Sequence, residues 1–168
     1  MIEILRYYLE IKNLKDLKAV GEPDSECNLE AVNPVDFHLN KFFYKQIGKS
    51  HRWTDRLSWA DQTWHNYINN KNVKTFVLKK KSNLVGFFEQ IFNKENNDYE
   101  IAYFGILDEH RNKRYGGYLL SSAIKLSLQD GARRVWVHTC SLDHKNAIKN
   151  YLARGMKIFK KEKVKISA

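Results

Sequence analysis

Apolar residues follow two different spacings along the chain, and together they predict an alternation of strands and helices. The β-rich segment "EILRYYLEI" at residues 3–11 predicts a first strand. Residues 73–80 and 84–92 predict a hairpin, because the turn-forming "KSN" separates them. Residues 99–106 form a nearly continuous apolar run, which is typical of a strand covered on both faces.

Four other segments have apolar residues at helical spacing. Ser58 and Asp143 stand where they could cap two of these helices, and Gly48 and Gly155 follow where helices would end. Residues 21–33 read as a loop, since Gly, Pro, Asp and Ser punctuate them. The predicted order is strand, two helices, three strands, helix, strand, helix and strand, at residues 3–11, 34–47, 58–70, 73–80, 84–92, 99–106, 118–130, 133–140, 144–154 and 156–166.

The bulk properties fit one compact domain over residues 1–168. Hydrophobic residues make up 43% of the 168 positions, which excludes a disordered chain. No apolar run is long enough for a membrane span, and charges interrupt the N-terminus, so we expect a cytoplasmic protein. Cys27 and Cys140 lie far apart in sequence without a metal-binding spacing, so we expect two reduced thiols and no metal site.

The net charge of +10 attracts anions but does not identify them, because nucleic acid, anionic lipid and phosphorylated small molecules share that preference. Many lysines alternate with apolar residues, as in "FKKEKVK", which is typical of the solvated face of a strand.

The segment "IAYFGILDEHRNKRYGGYLL" at residues 101–120 carries the most specific chemistry. It runs from a strand through several cations into a helix that begins at two glycines. A helix N-terminus presents unpaired amides, and glycines let a phosphate approach the backbone, so we expect a diphosphate to bind here. The alternative is an ordinary strand-to-helix turn. The glycine spacings of dinucleotide-binding and nucleotide-triphosphatase loops are both absent.

This segment resembles the acyl-CoA-binding motif of the GCN5-related N-acetyltransferases, [QR]-x-x-G-x-[GA] after a strand. Arg111, Arg114 and Gly116 fall on its three fixed positions, with Arg114 in place of the usual glycine. The resemblance implies acetyl-CoA as co-substrate. It also implies an α/β fold with a mostly antiparallel twisted sheet of six to seven strands and about four helices. A V-shaped split between residues 99–106 and 133–140 would form the active site, and residues 34–70 would supply the acceptor side.

The same resemblance implies the catalytic groups. Glu100 falls where several members carry the glutamate that deprotonates the amine, and it would share a strand face with Ala102, Phe104 and Ile106. Tyr151, within "NAIKNYLARGM", falls where members carry the tyrosine that protonates the leaving thiolate. His138 is the competing base, since its intrinsic pKa is near neutrality. Glu100 could instead lie exposed at the start of its strand, and Tyr151 and His138 could be core residues.

Two sets of binding residues complete these predictions. The coenzyme A set is Phe104, Ile106, Arg111, Asn112, Lys113, Arg114, Tyr115, Gly116, Gly117, His144 and Asn146. The acceptor pocket takes Trp53, Trp59 and His138, with His51 and Trp64 nearby, although most of these aromatic residues could equally belong to the core.

We therefore predict direct transfer of an acetyl group from acetyl-CoA to an amine on a small molecule or peptide. Two alternatives stay open: an acyl-CoA-binding sensor without turnover, and a basic nucleic-acid-binding domain. A homodimer through the last strands is a further expectation from the family, and membrane partners are not expected.

Overall fold

The computed structural model describes residues 1–167 as one mixed α/β layer structure, with a seven-stranded sheet between helices. The strands are β1 (Ile2–Ile11), β2 (Cys27–Ala31), β3 (Val73–Lys80), β4 (Asn83–Asn93), β5 (Asp98–Ile106), β6 (Arg134–Cys140) and β7 (Lys157–Ile166). The helices are α1 (Phe37–His51), α2 (Asp61–Ile68), α3 (Tyr115–Gln129) and α4 (Lys145–Ala153). The predicted fold class is thereby confirmed.

The strand order is β2-β3-β4-β5-β6-β1-β7, so the first strand lies between the last two. All neighbouring strands are antiparallel except β5 and β6, which run parallel. The first strand therefore joins two segments that come from the far end of the sequence.

Each face of the sheet carries its own core. On one face, β5 and β6 pack against α3 and α4 through residues that include Ile101, Val137 and Leu120. On the other face, α1 packs on β3 and β4, with the rings of Phe43 and Phe87 stacked 4.8 Å apart. Tight packing on both faces is what keeps the central strands at fixed positions around the site described below.

Three local expectations from the sequence are wrong. Residues 21–33 are not all loop, because β2 pairs with β3 there. α2 begins at Asp61 after Ala60 rather than at a Ser58 cap. α4 is capped by His144, whose ring accepts a hydrogen bond from the amide of Asn146 at 3.2 Å, while Asp143 accepts from the amide of His144 instead. Both helices therefore begin later in the chain than their capping patterns predict.

Candidate active site

A cavity of about 660 Å³ opens where β5 and β6 separate. The two strands pair only from Asp98–Arg134 to Glu100–Trp136, and beyond that point no pairing joins them within residues 1–167. Residues 101–106 of β5 form one wall, Val137 and His138 of β6 form another, and the N-terminal ends of α3 and α4 complete it. The predicted split between these strands is thus present in the structure.

The N-terminus of α3 opens into this cavity. Gly116 and Gly117 in its first turn line the wall, as do Arg111 and Asn112 in the preceding loop. Among the described residues no side chain caps α3 at Arg114, so the helix presents its first-turn amides uncapped. The helix dipole and these amides make the position favourable for an anion.

Arg114 holds the backbone conformation that the missing glycine of the motif would adopt easily. Its φ is 70° and its ψ is 4°, which is the left-handed region, and Asn112 nearby also has a positive φ of 62°. A β-carbon makes this region unfavourable by roughly 1–2 kcal/mol. The turn therefore keeps its shape despite the arginine, at some loss of stability.

The set predicted to bind coenzyme A divides in two. Phe104, Ile106, Arg111, Asn112, Gly116, Gly117, His144 and Asn146 line the cavity. Lys113, Arg114 and Tyr115 do not lie in its wall, and Tyr115 is buried with its hydroxyl donating to Asp24 at 2.8 Å.

Two residues that the sequence analysis did not single out also belong to this end. Asn150 of α4 donates to the carbonyl of Gly116 at 3.1 Å and lines the cavity. Arg154 lies against Gly117, and burial lowers its pKa because it disfavours the charged form. Both lie on α4 or at its end, but nothing in one sequence marks them as different from surface polar residues.

The cavity end at α3 fits a phosphate group. Nη2 of Arg111 is buried without a hydrogen bond, although Asp108 lies 3.1 Å away, and Nε of Arg154 is buried without one as well. Both side chains are partly exposed, and Asp108 already gives Arg111 a carboxylate partner, but these two buried nitrogen atoms still lack a hydrogen-bond acceptor. A diphosphate at the α3 N-terminus would supply further acceptor oxygens at this end of the cavity.

Tyr151 lines the cavity, is 6% exposed and has its ring 6.4 Å from that of Phe104. Burial raises its pKa well above the usual value, because the phenolate would be poorly solvated. The hydroxyl therefore keeps its proton at neutral pH and is available as a proton donor.

Glu100 does not share a strand face with Phe104 and Ile106 as the sequence suggested. Gln90 pairs with Ile101 but Glu89 pairs with Tyr103, so a β-bulge at Ala102 shifts the alternation of side chains by one residue. Glu100 consequently points to the α1 face, and it is not among the residues that line the cavity. Burial raises its pKa, which nearby Arg56 partly opposes.

His138 lies between Glu100 and the cavity. Its Nε2 is 3.9 Å from Oε1 of Glu100, and its side chain, 39% exposed, lines the cavity wall. Burial lowers its pKa, and Arg6 adds to that effect. A lowered pKa leaves the imidazole neutral, and so able to accept a proton, at physiological pH.

The predicted aromatic pocket is smaller than the sequence suggested. Trp53 lines the cavity, and its ring lies 4.8 Å from that of Tyr103.

Trp59 and Trp64 lie outside the cavity. They surround the guanidinium group of Arg56 together with Tyr44, Tyr67 and Tyr103. Arg56 is itself paired with Glu89 at 3.0 Å, and both are buried.

His51 is the other predicted pocket residue that reaches the cavity. It ends α1, and its Nδ1 contacts the carboxylate of Asp143. Thr139 donates to the same carboxylate at 2.6 Å. Nothing in the sequence indicates that Asp143, expected to cap a helix, would contact a residue 92 positions away.

Among residues 1–167, no helix has the length and apolar character to cross a membrane. No cluster of three or more His, Cys, Asp or Glu side chains is placed to hold a metal ion in that part of the chain. Cys27 and Cys140 are free thiols.

Comparisons with known proteins agree with this geometry. The model of the acetyltransferase (GNAT) family matches residues 37–156. No curated protein matches the chain significantly. Three solved structures illustrate the likeness, all at identities that report on the fold alone.

A GCN5-related N-acetyltransferase from Sphaerobacter thermophilus matches with a TM-score of 0.71 and 14% identity, over 94% of this chain and 49% of that one. An aminoglycoside acetyltransferase from an uncultured soil metagenomic sample matches with a TM-score of 0.66 and 14% identity, over 79% and 90%. A functionally unknown conserved protein from Staphylococcus epidermidis matches with a TM-score of 0.64 and 16% identity, over 95% and 60%. The chain thus spans about half to three fifths of the length of two of these three structures.

Proposed function

This chain belongs to the acetyltransferase (GNAT) family, and we propose that it transfers an acetyl group from acetyl-CoA directly to the amine of a small molecule or peptide. One observation carries the proposal: a single cavity connects the uncapped N-terminus of α3 with Tyr151 and His138 in the described part of the chain. A phosphate-binding end and a proton-transfer end in one cavity are what a coenzyme A thioester and an amine require.

Acetyl-CoA would supply the activated acetyl thioester at this site. The first-turn amides of α3 and the guanidinium of Arg111 would hold its diphosphate, with Asn146 and Asn150 close by on α4. The amides of β5 beyond its pairing with β6 would bind the pantetheine arm and polarise the thioester carbonyl near Ile106.

Tyr151 would return a proton to the leaving thiolate. Its raised pKa keeps the hydroxyl protonated, and its side chain lines the same cavity as Gly116 and His138. General acid catalysis of this kind contributes roughly 10²- to 10⁴-fold.

His138, with Glu100 behind it, would serve as a proton acceptor on the β6 wall. Of the two bases that the sequence predicts, only His138 lines the cavity, and the 3.9 Å separation lets Glu100 act through it or through water. The sequence alone favoured Glu100, but the bulge at Ala102 supports this order of contact instead.

The acceptor end favours an amine with an apolar or aromatic body and little additional positive charge. Trp53 and Tyr103 provide ring faces there. Lys145 and Lys149 line the same cavity in addition to Arg111, which would pair with the diphosphate, and Asp143 carries the one carboxylate among the described lining residues. A polycationic acceptor would therefore be repelled.

The test combines calorimetry with coenzyme A and a thiol-release assay with acetyl-CoA over a panel of amines. We expect saturable coenzyme A binding and amine-dependent thiol release. Binding without release for any amine would favour the acyl-CoA sensor. Failure to bind coenzyme A even at millimolar concentration would refute the proposal.

Two further expectations concern the whole protein. We propose a cytoplasmic location, which cell fractionation tests. We also propose a homodimer through β7, which lies at one edge of the sheet and, in the described residues, pairs only with β1. Sedimentation analysis would show a mass twice 19.9 kDa if the dimer forms.

A further inference from the structure

His51 and Asp143 form a hydrogen-bonded pair in the cavity wall that the family motifs do not assign. The carboxylate of Asp143 receives three contacts: Nδ1 of His51, the hydroxyl of Thr139 at 2.6 Å and the amide of His144 at 3.0 Å. Three such contacts fix the position and the orientation of the carboxylate. An acceptor held at this position keeps the proton of His51 on Nδ1.

The other ring nitrogen of His51 is then the one with a free lone pair. No hydrogen bond within residues 1–167 engages Nε2, while the ring lines the cavity with 11% of its side chain exposed. The ring stands 5.3 Å from that of Trp53, at the end where the acceptor is expected. A carboxylate that orients an imidazole in this way leaves the other ring nitrogen in a fixed position as a proton acceptor.

The chemistry of the proposed reaction leaves room for such a group. An alkylamine arrives as R–NH₃⁺ and leaves as R–NH–CO–CH₃, so its nitrogen loses two protons. One proton must leave before the nitrogen lone pair can form the C–N bond, and the second leaves as that bond forms and the C–S bond breaks. The thiolate regains one proton as CoA–SH, so one proton in total passes to solvent. His138 with Glu100 can accept only one of the two at a time.

From this geometry we propose that His51, oriented by Asp143, accepts the first proton, converting the bound ammonium group to the neutral amine before it attacks the thioester. The inference rests on the proposed acetyl transfer to an amine. The proton then moves from Nε2 to solvent, and the pair returns to its initial state without an oxidant or another reactant.

Several other charged or titratable groups line the same cavity. They are Tyr103 from β5, His138 from β6, His144, Lys145, Lys149 and Tyr151 from α4 and its cap, and Arg111 from the loop before α3. None of them is hydrogen-bonded to Nδ1 of His51, so the tautomer of the ring depends on Asp143.

His51→Gln is the decisive variant, because glutamine can still donate to Asp143 but cannot accept a proton. Its kcat/KM is measured with acetyl-CoA and two acceptors of similar size, a primary alkylamine and its trifluoro analogue, which is mostly neutral at the assay pH. We expect a loss of roughly 10²- to 10³-fold with the alkylamine and less than about fivefold with the trifluoro analogue. His65→Gln on α2, which lies outside the cavity, is the matched control and should change neither value.

Asp143→Ala supplies a second, independent variant. Without the carboxylate, the contact that keeps the proton of His51 on Nδ1 is lost, so this variant should lose about as much activity as His51→Gln. The double variant should lose little more than either single one, since the two residues act as a unit. Calorimetry with coenzyme A should give an unchanged Kd in His51→Gln.

Nitrogen-15 NMR of histidine-labelled protein reads the tautomer without any turnover. We expect His51 to be protonated at Nδ1 in the wild type and to populate both tautomers in Asp143→Ala. The inference is overturned if the wild type is active and His51→Gln loses equal activity with both amines, or loses none. That outcome leaves the acetyltransferase proposal intact. Wild type inactive with every amine refutes the proposed function, and an Nε2–H tautomer of His51 in the wild type overturns the inference on its own.

Discussion

The buried ion pair between Arg56 and Glu89 offers the sharpest test of how the acceptor side of the cavity is held. Arg56 is 5% exposed and Glu89 is fully buried. The guanidinium group lies 4.1 Å from the ring centres of both Tyr67 and Tyr103, and Glu89 also accepts from Asn40 at 2.8 Å. Replacing Arg56 by Met keeps most of the side-chain volume but leaves the Glu89 carboxylate buried without a cation.

Removing one partner of a buried pair destabilises a protein by about 3–5 kcal/mol. For a chain of this length, each kcal/mol lowers the melting temperature by roughly 2–4 °C, so Arg56→Met should melt roughly 6–20 °C below the wild type. Lys41→Met is the matched control, because Lys41 and Asp61 form an exposed pair at 3.0 Å whose loss should cost less than about 1 kcal/mol.

Urea denaturation of Arg56→Met, Lys41→Met and the double variant Arg56→Met/Glu89→Gln gives the free energies of unfolding. The double variant removes the uncompensated charge, and its new amide oxygen can still accept from Tyr67 as the Glu89 carboxylate does, so it should be more stable than Arg56→Met alone. A loss below about 1 kcal/mol in Arg56→Met, or a double variant less stable than the single one, would contradict this account of the pair.

Four further outcomes are expected. Gly116→Ala adds a methyl group that meets only Asn150 at 3.6 Å and Ile106 at 3.9 Å, so the fold should persist. The Kd for coenzyme A should rise about tenfold or more in calorimetry, whereas the control Gly21→Ala, whose methyl group has nothing within 4 Å, should leave the Kd unchanged. Arg114→Gly should stabilise the protein by about 1 kcal/mol in urea denaturation, because glycine tolerates the φ of 70°, and it should weaken coenzyme A binding less than Arg111→Gln does. Glu100→Gln should raise the melting temperature at pH 7 but not at pH 4. Because the folded-state pKa of Glu100 is raised, the native protein loses stability as the pH rises through that pKa, and the glutamine variant does not have this loss. Tyr151→Phe should lower kcat by roughly 10²- to 10⁴-fold with an unchanged Kd for coenzyme A. The control Tyr118→Phe, whose hydroxyl lies outside the cavity, should match the wild type, and equal activity of the two variants would remove Tyr151 from the mechanism.

Much of the fold could be predicted from the sequence, because most elements carry a periodic apolar face. α3, with Leu119, Leu120, Ala123 and Ile124 buried, is the clearest case. The sequence does not predict β2, because it is an edge strand of only five residues, three of them exposed, and it directly follows the turn-forming residues 21–25. The insertion of β1 between β6 and β7 could not be predicted either, because strand order depends on contacts between distant segments.

The candidate site was predictable where a local motif fixes the backbone and not where side chains meet across the fold. Gly116 and Gly117 line the cavity as the motif implies. The orientation predicted for Glu100 is wrong because the alternation rule assumes an unbroken strand, and a bulge at Ala102 leaves no reliable mark in one sequence. The contact of His51 with Asp143 joins residues 92 positions apart, so spacing carries no information about it.

The place of β1 in the sheet also bears on how the molecule is made. Residues 2–11 are synthesised before their partners in β6 and β7, residues 134–166, and the other strands and helices come in between. Until those partners are made, the aromatic and apolar side chains of β1 have no neighbouring strand to join, and the nascent chain is exposed to misassociation. Both the closure of the cavity's β6 wall and the burial of Leu9 therefore wait until β6 and β7 have been synthesised.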